Sequence, residues 1–193
     1  MRAITFDIES ISDSAVRGRV DVSEQELTVV GVHDSLTGTY SSYLQEDLPQ
    51  LWPVLEAADM LIGYNSNTFD IPLLNRYYPG DLTRLHSLDL LVEVHRALGR
   101  RIRLQSLAEA TLGRGKSGDG LKAADWWREG KYDKVREYCI EDVRITRELY
   151  EYAIKNGLLK YKDLRTVRDI KLDTAHWTNA RENGPTLTHA LPL

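Results

Sequence analysis

The sequence of 193 residues predicts one α/β domain with a mixed central sheet flanked by helices. Segments typical of strands and helices follow one another in the order three strands, helix, strand, helix, strand and then several helices. Residues 60–64 form a short, continuous apolar run, as expected of a strand buried on both faces. Residues 132–155 form a long helical pattern with one apolar stripe, which must pack on another element.

The composition is that of a globular chain, with 42% hydrophobic and 28% charged residues. No apolar run approaches about 20 residues, so no membrane span is expected. The chain enters a strand pattern directly, without a signal peptide, and Cys139 is its only cysteine. An internal disulfide is therefore impossible, a thiolate zinc site is disfavoured, and we expect a reducing, cytoplasmic setting.

The first three strands are expected to form an antiparallel meander. Residues 2–9 alternate, with Ile4, Phe6 and Ile8 on one face. Asp7 and Glu9 point to the other face, about 7 Å apart along the strand. A half-exposed strand with a polar outer face would show the same pattern. Residues 27–32 and 39–44 continue the meander as the second and third strands.

The fourth strand leads to a candidate site residue. A helix over residues 46–58 precedes the apolar strand, and the strand opens into the capping residues 65–68. Phe69 and Asp70 follow, and Pro72 suits the first turn of a helix. This order places Asp70 at the carboxyl end of a strand, where open α/β sheets hold their sites. An aspartate that only complements a helix N-terminus would occupy the same position.

The remaining elements are mostly helical. The pattern predicts a strand over residues 84–89, helices over 90–98, 104–112, 121–130 and 132–155, and a small hairpin from 158–161 and 167–172. The glycine-rich segment 114–120 is expected to be a mobile loop, and it lacks the residue order of a nucleotide-cradling loop. We expect a domain over residues 1–157 and a C-terminal extension, 158–193, that packs on it or is partly disordered.

The long helix carries an aspartate on its core-facing stripe. The stripe consists of Val135, Tyr138, Asp142, Ile145, Leu149 and Tyr152. An unpaired carboxylate in such a place costs several kcal/mol, so it is normally paired, hydrogen-bonded or bound to a cation. The facing element should therefore hold a partner for Asp142.

Four carboxylates converge if this helix packs over the first strand, namely those of Asp7, Glu9, Asp70 and Asp142. Oxygen ligands without a histidine or thiolate suit Mg²⁺ or Mn²⁺, and magnesium completes its shell from phosphate oxygens. Two such ions about 4 Å apart activate a water and stabilise the leaving oxygen in phosphate-ester hydrolysis. Tyr138 lies one turn before Asp142, where its hydroxyl is placed to orient the attacking water.

Three motifs resemble those of the DEDD superfamily of exonucleases, in its tyrosine variant. They are Phe6-Asp7-Ile8-Glu9, Gly63-Tyr64-Asn65 leading to Phe69-Asp70, and Tyr138-x-x-x-Asp142. The second motif is especially similar to the proofreading domains of family B DNA polymerases. The chain also resembles compact ribonuclease H-like nucleases that occur alone or beside helicases. The resemblance spans residues 3–155 and implies a ribonuclease H-like fold with two-metal hydrolysis from a 3′ end.

The resemblance assigns roles to individual residues. It implies that Asp7, Glu9, Asp70 and Asp142 hold two Mg²⁺ or Mn²⁺ ions and that Tyr138 positions the water. Asn65 and Phe69 are expected at the terminal nucleotide, since an amide can hydrogen-bond it and an aromatic ring can stack on it. Arg103 and Gln105 are further candidates for contact with the strand. Asp89 is interpreted as structural and is left out of the metal set.

A basic run adds a second candidate surface for the strand. Residues 95–116 contain Arg96, Arg100, Arg101, Arg103, Arg114 and Lys116 against the single acid Glu109. Contact with phosphates and a merely solvated helix face both explain such a run. The net charge of −4 argues against a general nucleic-acid coat, but it does not exclude a carboxylate site loaded with metal.

The expected function is a 3′–5′ exonuclease that acts on single-stranded DNA and releases nucleoside 5′-monophosphates. An exoribonuclease is the alternative within the same class, because no feature recognisably reads a 2′-hydroxyl. A catalytically silent nucleic-acid-binding module and a phosphoesterase acting on nucleotides are further alternatives. No polymerase domain follows in the sequence, so a polymerase, a helicase or another replication or repair protein is an expected partner.

Overall fold

The computed structural model describes residues 1–12, 21–114 and 120–178. Its main sheet has five strands, namely β1 (Ala3–Ile11), β2 (Glu26–Asp34), β3 (Thr39–Leu44), β4 (Met60–Gly63) and β5 (Ser87–Asp89). Their order across the sheet is β3-β2-β1-β4-β5. β1, β2 and β3 pair antiparallel, while β4 pairs parallel with β1 and β5. The predicted mixed sheet and its antiparallel meander are confirmed.

In the part of the chain that the structure describes, six α-helices and a small hairpin surround this sheet. The helices are α1 (Leu48–Glu56), α2 (Asp70–Leu74), α3 (Leu90–Leu98), α4 (Leu104–Leu112), α5 (Gly120–Arg128) and α6 (Tyr132–Asn156). The hairpin consists of β6 (Leu158–Asp163) and β7 (Thr166–Lys171), which pair antiparallel. Among the described residues, no helix has both the length and the apolar character needed to cross a membrane.

Two predicted elements start later than expected. The strand predicted over residues 84–89 begins only at Ser87, because Leu82–Arg84 forms a 3-10 turn that Asp81 caps by accepting from the Thr83 amide. The helix predicted from residue 46 begins at Leu48, after a 3-10 turn over Gln45–Asp47. In both places local hydrogen bonds compete with the element suggested by the apolar pattern.

The two faces of β1 have different neighbours. Its apolar residues Ile4, Phe6 and Ile8 lie in one core cluster with residues of α1 and α2. A second cluster, on the opposite side of the sheet, contains residues of α3, α4 and α6 and the hairpin residue Leu159. The alternation predicted for β1 is therefore present, and Asp7 and Glu9 lie on the face toward α6.

Gly31 explains how closely α6 approaches this face. A Cβ atom at Gly31 would lie only 3.0 Å from Cys139 Sγ and 3.0 Å from Val143 Cγ2. Gly31 of β2 is paired with Asp7 of β1. The absence of a side chain at Gly31 thus lets the helix sit directly beside the first candidate carboxylate.

Residues after α6 pack against the same side of the molecule. Trp177 is 1% exposed, lies in the cluster with Leu159 and Ile170, and stacks on Tyr150 at a centroid distance of 6.0 Å. The predicted boundary at residue 157 stays a prediction. Residues 179–193 of the predicted extension, and 115–119 of the predicted glycine-rich loop, lie outside the described residues.

Candidate active site

The four predicted carboxylates come from three different elements, one strand of the sheet and two helices. Asp7 and Glu9 project from β1 toward α6, Asp70 begins α2 after β4, and Asp142 projects from the middle of α6. Asp70 is 4% exposed and Asp142 is 7% exposed, and the other two are half-buried. Carboxylate oxygens of Asp7 and Glu9 lie within 4.8 Å of each other. The structure therefore brings Asp7 and Glu9 together, and the charges of Asp70 and Asp142 act on both of them.

The pKa values of these acids are raised because they are buried and lie close to one another. Burial is the largest cause of the raised pKa of Asp7, and the charges of Asp70, Asp142 and Glu9 add to it. Burial likewise raises the pKa of Glu9, followed by the charges of Asp142 and Asp70. Burial raises the pKa of Asp70 to about 7 and that of Asp142 to about 6. A cation bound among these groups would relieve both causes.

The loop after β4 turns sharply to deliver Asp70. A Cβ atom on Gly63 would lie 2.4 Å from Ser66 Oγ, so the tight turn requires glycine at this position. The Ile71 amide donates to the Ser66 carbonyl at 2.9 Å and closes the turn into α2. The backbone amides of Asp70 and Ile8 hydrogen-bond the Asp70 carboxylate and partly offset the rise in its pKa.

At Glu9, an irregularity in the sheet directs the second carboxylate. The pairing of β1 with β2 shifts register between Glu9 and Ser10, which is a β-bulge. The Thr28 hydroxyl donates to the Glu9 carbonyl at 2.9 Å beside this shift. A bulge re-aims the side chains next to it, so the orientation of Glu9 depends on a feature that the alternation of β1 does not reveal.

Asp142 has two hydrogen-bond donors, from α6 itself and from α4. The Tyr138 hydroxyl hydrogen-bonds its carboxylate, and Gln105 Nε2 donates to Oδ1 at 3.4 Å. Burial and the nearby carboxylates raise the pKa of Tyr138, so its hydroxyl stays protonated and available as a donor. The Tyr138 ring is held edge-on by Trp126 of α5 at a centroid distance of 6.3 Å.

Cys139 lies in this site although the sequence did not identify it. Its sulfur lies within 4.8 Å of the ligand atoms of Asp7 and Glu9. However, its Sγ donates to the Asp7 carbonyl at 3.4 Å, and burial raises the pKa of the thiol well above its usual range. Cys139 therefore remains a thiol that packs α6 on β1 and offers no thiolate to a metal. The sequence carried no signal for it, because adjacent residues of a helix point in different directions.

Asp89 has the structural role expected from the sequence. Its Oδ1 accepts from the amides of Asn65 at 2.8 Å and Leu91 at 2.9 Å, and its Oδ2 accepts from the Asn67 amide at 3.0 Å. It thereby caps α3 and ties the loop after β4 to the start of that helix. With three amide donors, this carboxylate is satisfied by the protein itself.

The candidate strand-binding residues are not equivalent in the structure. Asn65 has a left-handed backbone with φ of 66°, and its Oδ1 accepts from Thr68 Oγ1 at 2.7 Å and from Arg101. Phe69 is half-buried and packs against the core cluster beside α2. Gln105 contacts Asp142, as described above. Arg103 is exposed at the start of α4 and has no hydrogen bond or ion pair with a described side chain.

Most of the basic run is engaged in contacts within the chain. Arg96 pairs with Glu93 at 2.7 Å and Arg100 with Asp163 at 3.6 Å. Arg114 bridges Glu141 and Glu148 at 2.8 Å each, which places it against α6. Lys116 lies outside the described residues. The run is therefore not one continuous free cationic face where the structure describes it.

Comparison with known proteins places the chain in a family. The family model described as RNase_H superfamily matches residues 6–154. This chain belongs to the RNase H superfamily. The match includes the strands of the main sheet and most of α6, and with the carboxylate cluster it supports a nuclease. No match was found among curated protein sequences.

A solved structure shares the fold of this RNase H-like chain. The family B DNA polymerase from the hyperthermophilic archaeon Pyrobaculum calidifontis superimposes with a TM-score of 0.62 at 20% sequence identity. The alignment covers 79% of this chain and 24% of the polymerase chain. The RNase H-like chain thus corresponds to about a quarter of that polymerase, and at this identity the likeness establishes the fold alone.

The donor set of the site fits divalent metal ions, which RNase H-like nucleases use. Burial and the repulsion between its carboxylates raise the pKa values of Asp7 and Glu9, and a bound cation would offset both causes. Oxygen donors of this kind suit Mg²⁺ and Mn²⁺.

Proposed function

We propose that this RNase H superfamily protein is a metal-dependent 3′–5′ exonuclease of the DEDD type, in its tyrosine variant. It hydrolyses phosphodiester bonds at the 3′ end of single-stranded DNA and releases nucleoside 5′-monophosphates. The observation that carries the proposal is the convergence of four mutually repelling carboxylates, two buried and two half-buried, beside a protonated tyrosine. A phosphodiester is the substrate that bridges such a site when it holds cations.

The residues of the site divide the chemistry among them. Asp7, Glu9, Asp70 and Asp142 would hold two Mg²⁺ or Mn²⁺ ions, which supply an activated nucleophile and stabilise the leaving oxygen of an in-line displacement. The Tyr138 hydroxyl orients the attacking water. Gln105 donates to Asp142 and fixes the orientation of that carboxylate.

The strand is bound by residues around the mouth of the site. Asn65 and Phe69 precede Asp70 in the loop after β4 and would contact the terminal nucleotide. The Arg103 guanidinium has no partner among the described residues, so it is available to a phosphate, and it lies two residues before Gln105. The proposed partner is a polymerase, a helicase or another replication or repair protein. The proposed setting is reducing and cytoplasmic, because the sequence contains a single cysteine.

A degradation assay tests the activity, its direction and its substrate together. Single-stranded DNA and RNA labelled at the 5′ end are incubated with the protein and with Mg²⁺, Mn²⁺ or EDTA. We expect progressive shortening of the DNA from the 3′ end, abolished by EDTA, and an intact circular single strand as the control against endonuclease cleavage. Labelled strands that stay intact with both metals would contradict the proposal, and faster shortening of RNA would change the substrate to RNA.

A further inference from the structure

A cavity of about 110 Å³ adjoins the carboxylate site on the side of α3. Its walls come from the loop after β4, from α3 and from the connection between α3 and α4. They include Asn65, Thr68, Leu91, Val92, His95 and Arg101. Asp89 also lines it and lies near enough to Asp70 that its charge raises the pKa of Asp70. Asn65 and Thr68 belong to the loop that leads into Asp70, so the cavity lies beside the proposed catalytic carboxylates.

The Asn65 side chain has a defined orientation that leaves its amide nitrogen free. Two donors, Thr68 Oγ1 and an Arg101 Nη atom, converge on Oδ1 and identify that atom as the oxygen. Asn65 Nδ2 has no acceptor among the described residues. The backbone N–H of Asn65 donates a hydrogen bond to Asp89 Oδ1 at 2.8 Å, which stabilises the left-handed backbone of Asn65. A hydrogen-bonded network at the surface therefore presents an unused donor at the wall of the cavity.

Arg101 and His95 add further unused donors to the same walls. The Tyr64 hydroxyl donates to the Ile102 carbonyl, which anchors the connection that carries Arg101. Of the five N–H donors of its guanidinium, the structure uses one, for Asn65. His95 is exposed, and its ring makes no hydrogen bond or ion pair with the described residues.

The chemistry of the walls selects the class of ligand. Three sets of donors, one of them permanently cationic, call for an anion with several acceptor oxygens. The only acid lining the cavity is Asp89, whose oxygens already accept from three backbone amides. Leu91 and Val92 supply an apolar side, and Val92 is 38% exposed. A phosphate attached to a sugar matches both halves of this surface.

We propose that this cavity binds one internucleotide phosphate of the single-stranded substrate, upstream of the bond that is cleaved. Arg101 and His95 hold the phosphate oxygens, Asn65 Nδ2 donates to the nucleotide beside this phosphate, and the adjoining sugar lies against Val92. This inference depends on the proposed function in one respect, because the strand must reach the carboxylate site. It assigns to Arg101 and His95 a role that neither the sequence motifs nor the reaction requires.

The test replaces single phosphate charges in the ligand. Binding of labelled single-stranded DNA is measured by fluorescence anisotropy with Ca²⁺ in place of Mg²⁺, and a gel checks that the strand stays intact. In each of four ligands, one of the last four linkages is a neutral methylphosphonate. For the unaltered protein we expect one position at which this change weakens binding about tenfold, as for loss of one good phosphate contact.

The Arg101→Ala variant identifies which side chain reads that charge. It should bind the unmodified strand about tenfold more weakly, and its logarithmic salt slope should fall by about 0.7, the value for one contact on a single strand. The methylphosphonate at the sensitive position should then cost less than about twofold. Arg101→Lys, which keeps the charge but loses the planar fork, should lie between the two.

Arg96→Ala is the matched control, because it removes the same charge from an exposed arginine that lies outside the cavity and pairs with Glu93. It should keep the position-specific loss of the unaltered protein. If Arg101→Ala fails to fold in a thermal melt, Arg101→Lys and His95→Ala carry the same comparison.

Equal losses at all four linkages, or an undiminished loss in the Arg101 variants, would overturn the proposal. The outcome is separable from that of the exonuclease assay. A strand that binds with the expected position dependence but is never hydrolysed would refute the exonuclease alone, and hydrolysis without position dependence would refute the phosphate site alone.

Discussion

Asp34 and Asp142 are buried to the same extent, at 7% exposure each, yet their pKa values move in opposite directions. Asp34 ends β2 and receives the Arg2 guanidinium, with Nη2 to Oδ2 at 2.7 Å, and the Leu36 amide at 2.9 Å. These donors lower the pKa of Asp34. Asp142 has only the neutral donors Tyr138 and Gln105, and burial raises its pKa to about 6.

This difference distinguishes an acid whose ionised form stabilises the fold from acids whose ionised forms destabilise it. Asp34 and Asp89 obtain their donors from the chain itself, so no ligand is needed to satisfy them. The four site acids are different, because their charges act on one another. The charges of Asp70 and Asp142 raise the pKa values of both Asp7 and Glu9. Proteins retain such destabilising arrangements chiefly where function requires them.

The largest effect is expected from Asp142→Asn. The substitution keeps the shape of the side chain but removes the charge, so a divalent ion is held less well. Loss of several kcal/mol of transition-state stabilisation corresponds to a fall in nuclease rate of about 1,000-fold. The free energy of unfolding measured with urea in EDTA should stay equal or rise, because an unneutralised buried charge is gone. Full metal-dependent activity in this variant would show that Asp142 is not needed to hold the metal.

The second effect concerns Asp89, which belongs with Asp34 although it lies beside the site. Asp89→Ala removes the acceptors of three backbone amides and should lower the free energy of unfolding by about 2–4 kcal/mol. Nuclease activity should fall as well, because the Asn65 loop loses its anchor. Asp89→Asn keeps one acceptor oxygen and should recover part of the stability. An unchanged urea midpoint for Asp89→Ala would show that the three bonds contribute little.

A smaller effect is expected from Asp34→Asn. Breaking its partly exposed pair with Arg2 should lower the free energy of unfolding by about 1–2 kcal/mol, while the nuclease rate below the melting temperature stays the same. The double variant Arg2→Met/Asp34→Asn should lose less than the sum of the two single variants, since both remove one interaction. A large fall in nuclease rate would contradict the prediction, because it would show that Asp34 contributes to the site and not only to the fold.

The smallest effect is a shift in how melting temperature depends on pH. Because the folded pKa values of Asp70 and Asp142 exceed the unfolded value of about 3.9, their contribution is fully present below that pH. It is lost as the pH rises through about 6 to 7. In EDTA the melting temperature should therefore fall by a few degrees between pH 5 and pH 8.

Asp34 and the bound metal supply the internal controls for that titration. The lowered pKa of Asp34 gives a contribution that is present above the unfolded value and is lost as the pH falls through the folded one. Mg²⁺ or Mn²⁺ should reduce the fall in melting temperature between pH 5 and pH 8. Asp142→Asn should reduce the same fall in the absence of metal. A melting temperature in EDTA that rises steadily from pH 5 to pH 8 would contradict the opposite behaviour of the two groups.

Much of the candidate site could be predicted because its members follow local periodicities. Asp7 and Glu9 share a face because strand side chains alternate, and Tyr138 and Asp142 share one because they are four residues apart on a helix. Asp70 followed from the order of strand, turn and helix. These patterns act within a few residues, so the sequence alone determined which side chains would be available and on which face of each element.

The tertiary structure alone decided which of these side chains meet. Gly31 lets α6 approach β1, and that approach places Cys139 against Asp7, which no local pattern of either element indicates. The sequence suggests that the basic run forms one surface. In the structure Arg114 pairs with Glu141 of α6, whereas Arg101 hydrogen-bonds Asn65. Pairings of this kind join residues tens of positions apart, and they depend on shape and charge in three dimensions, which sequence periodicity does not encode.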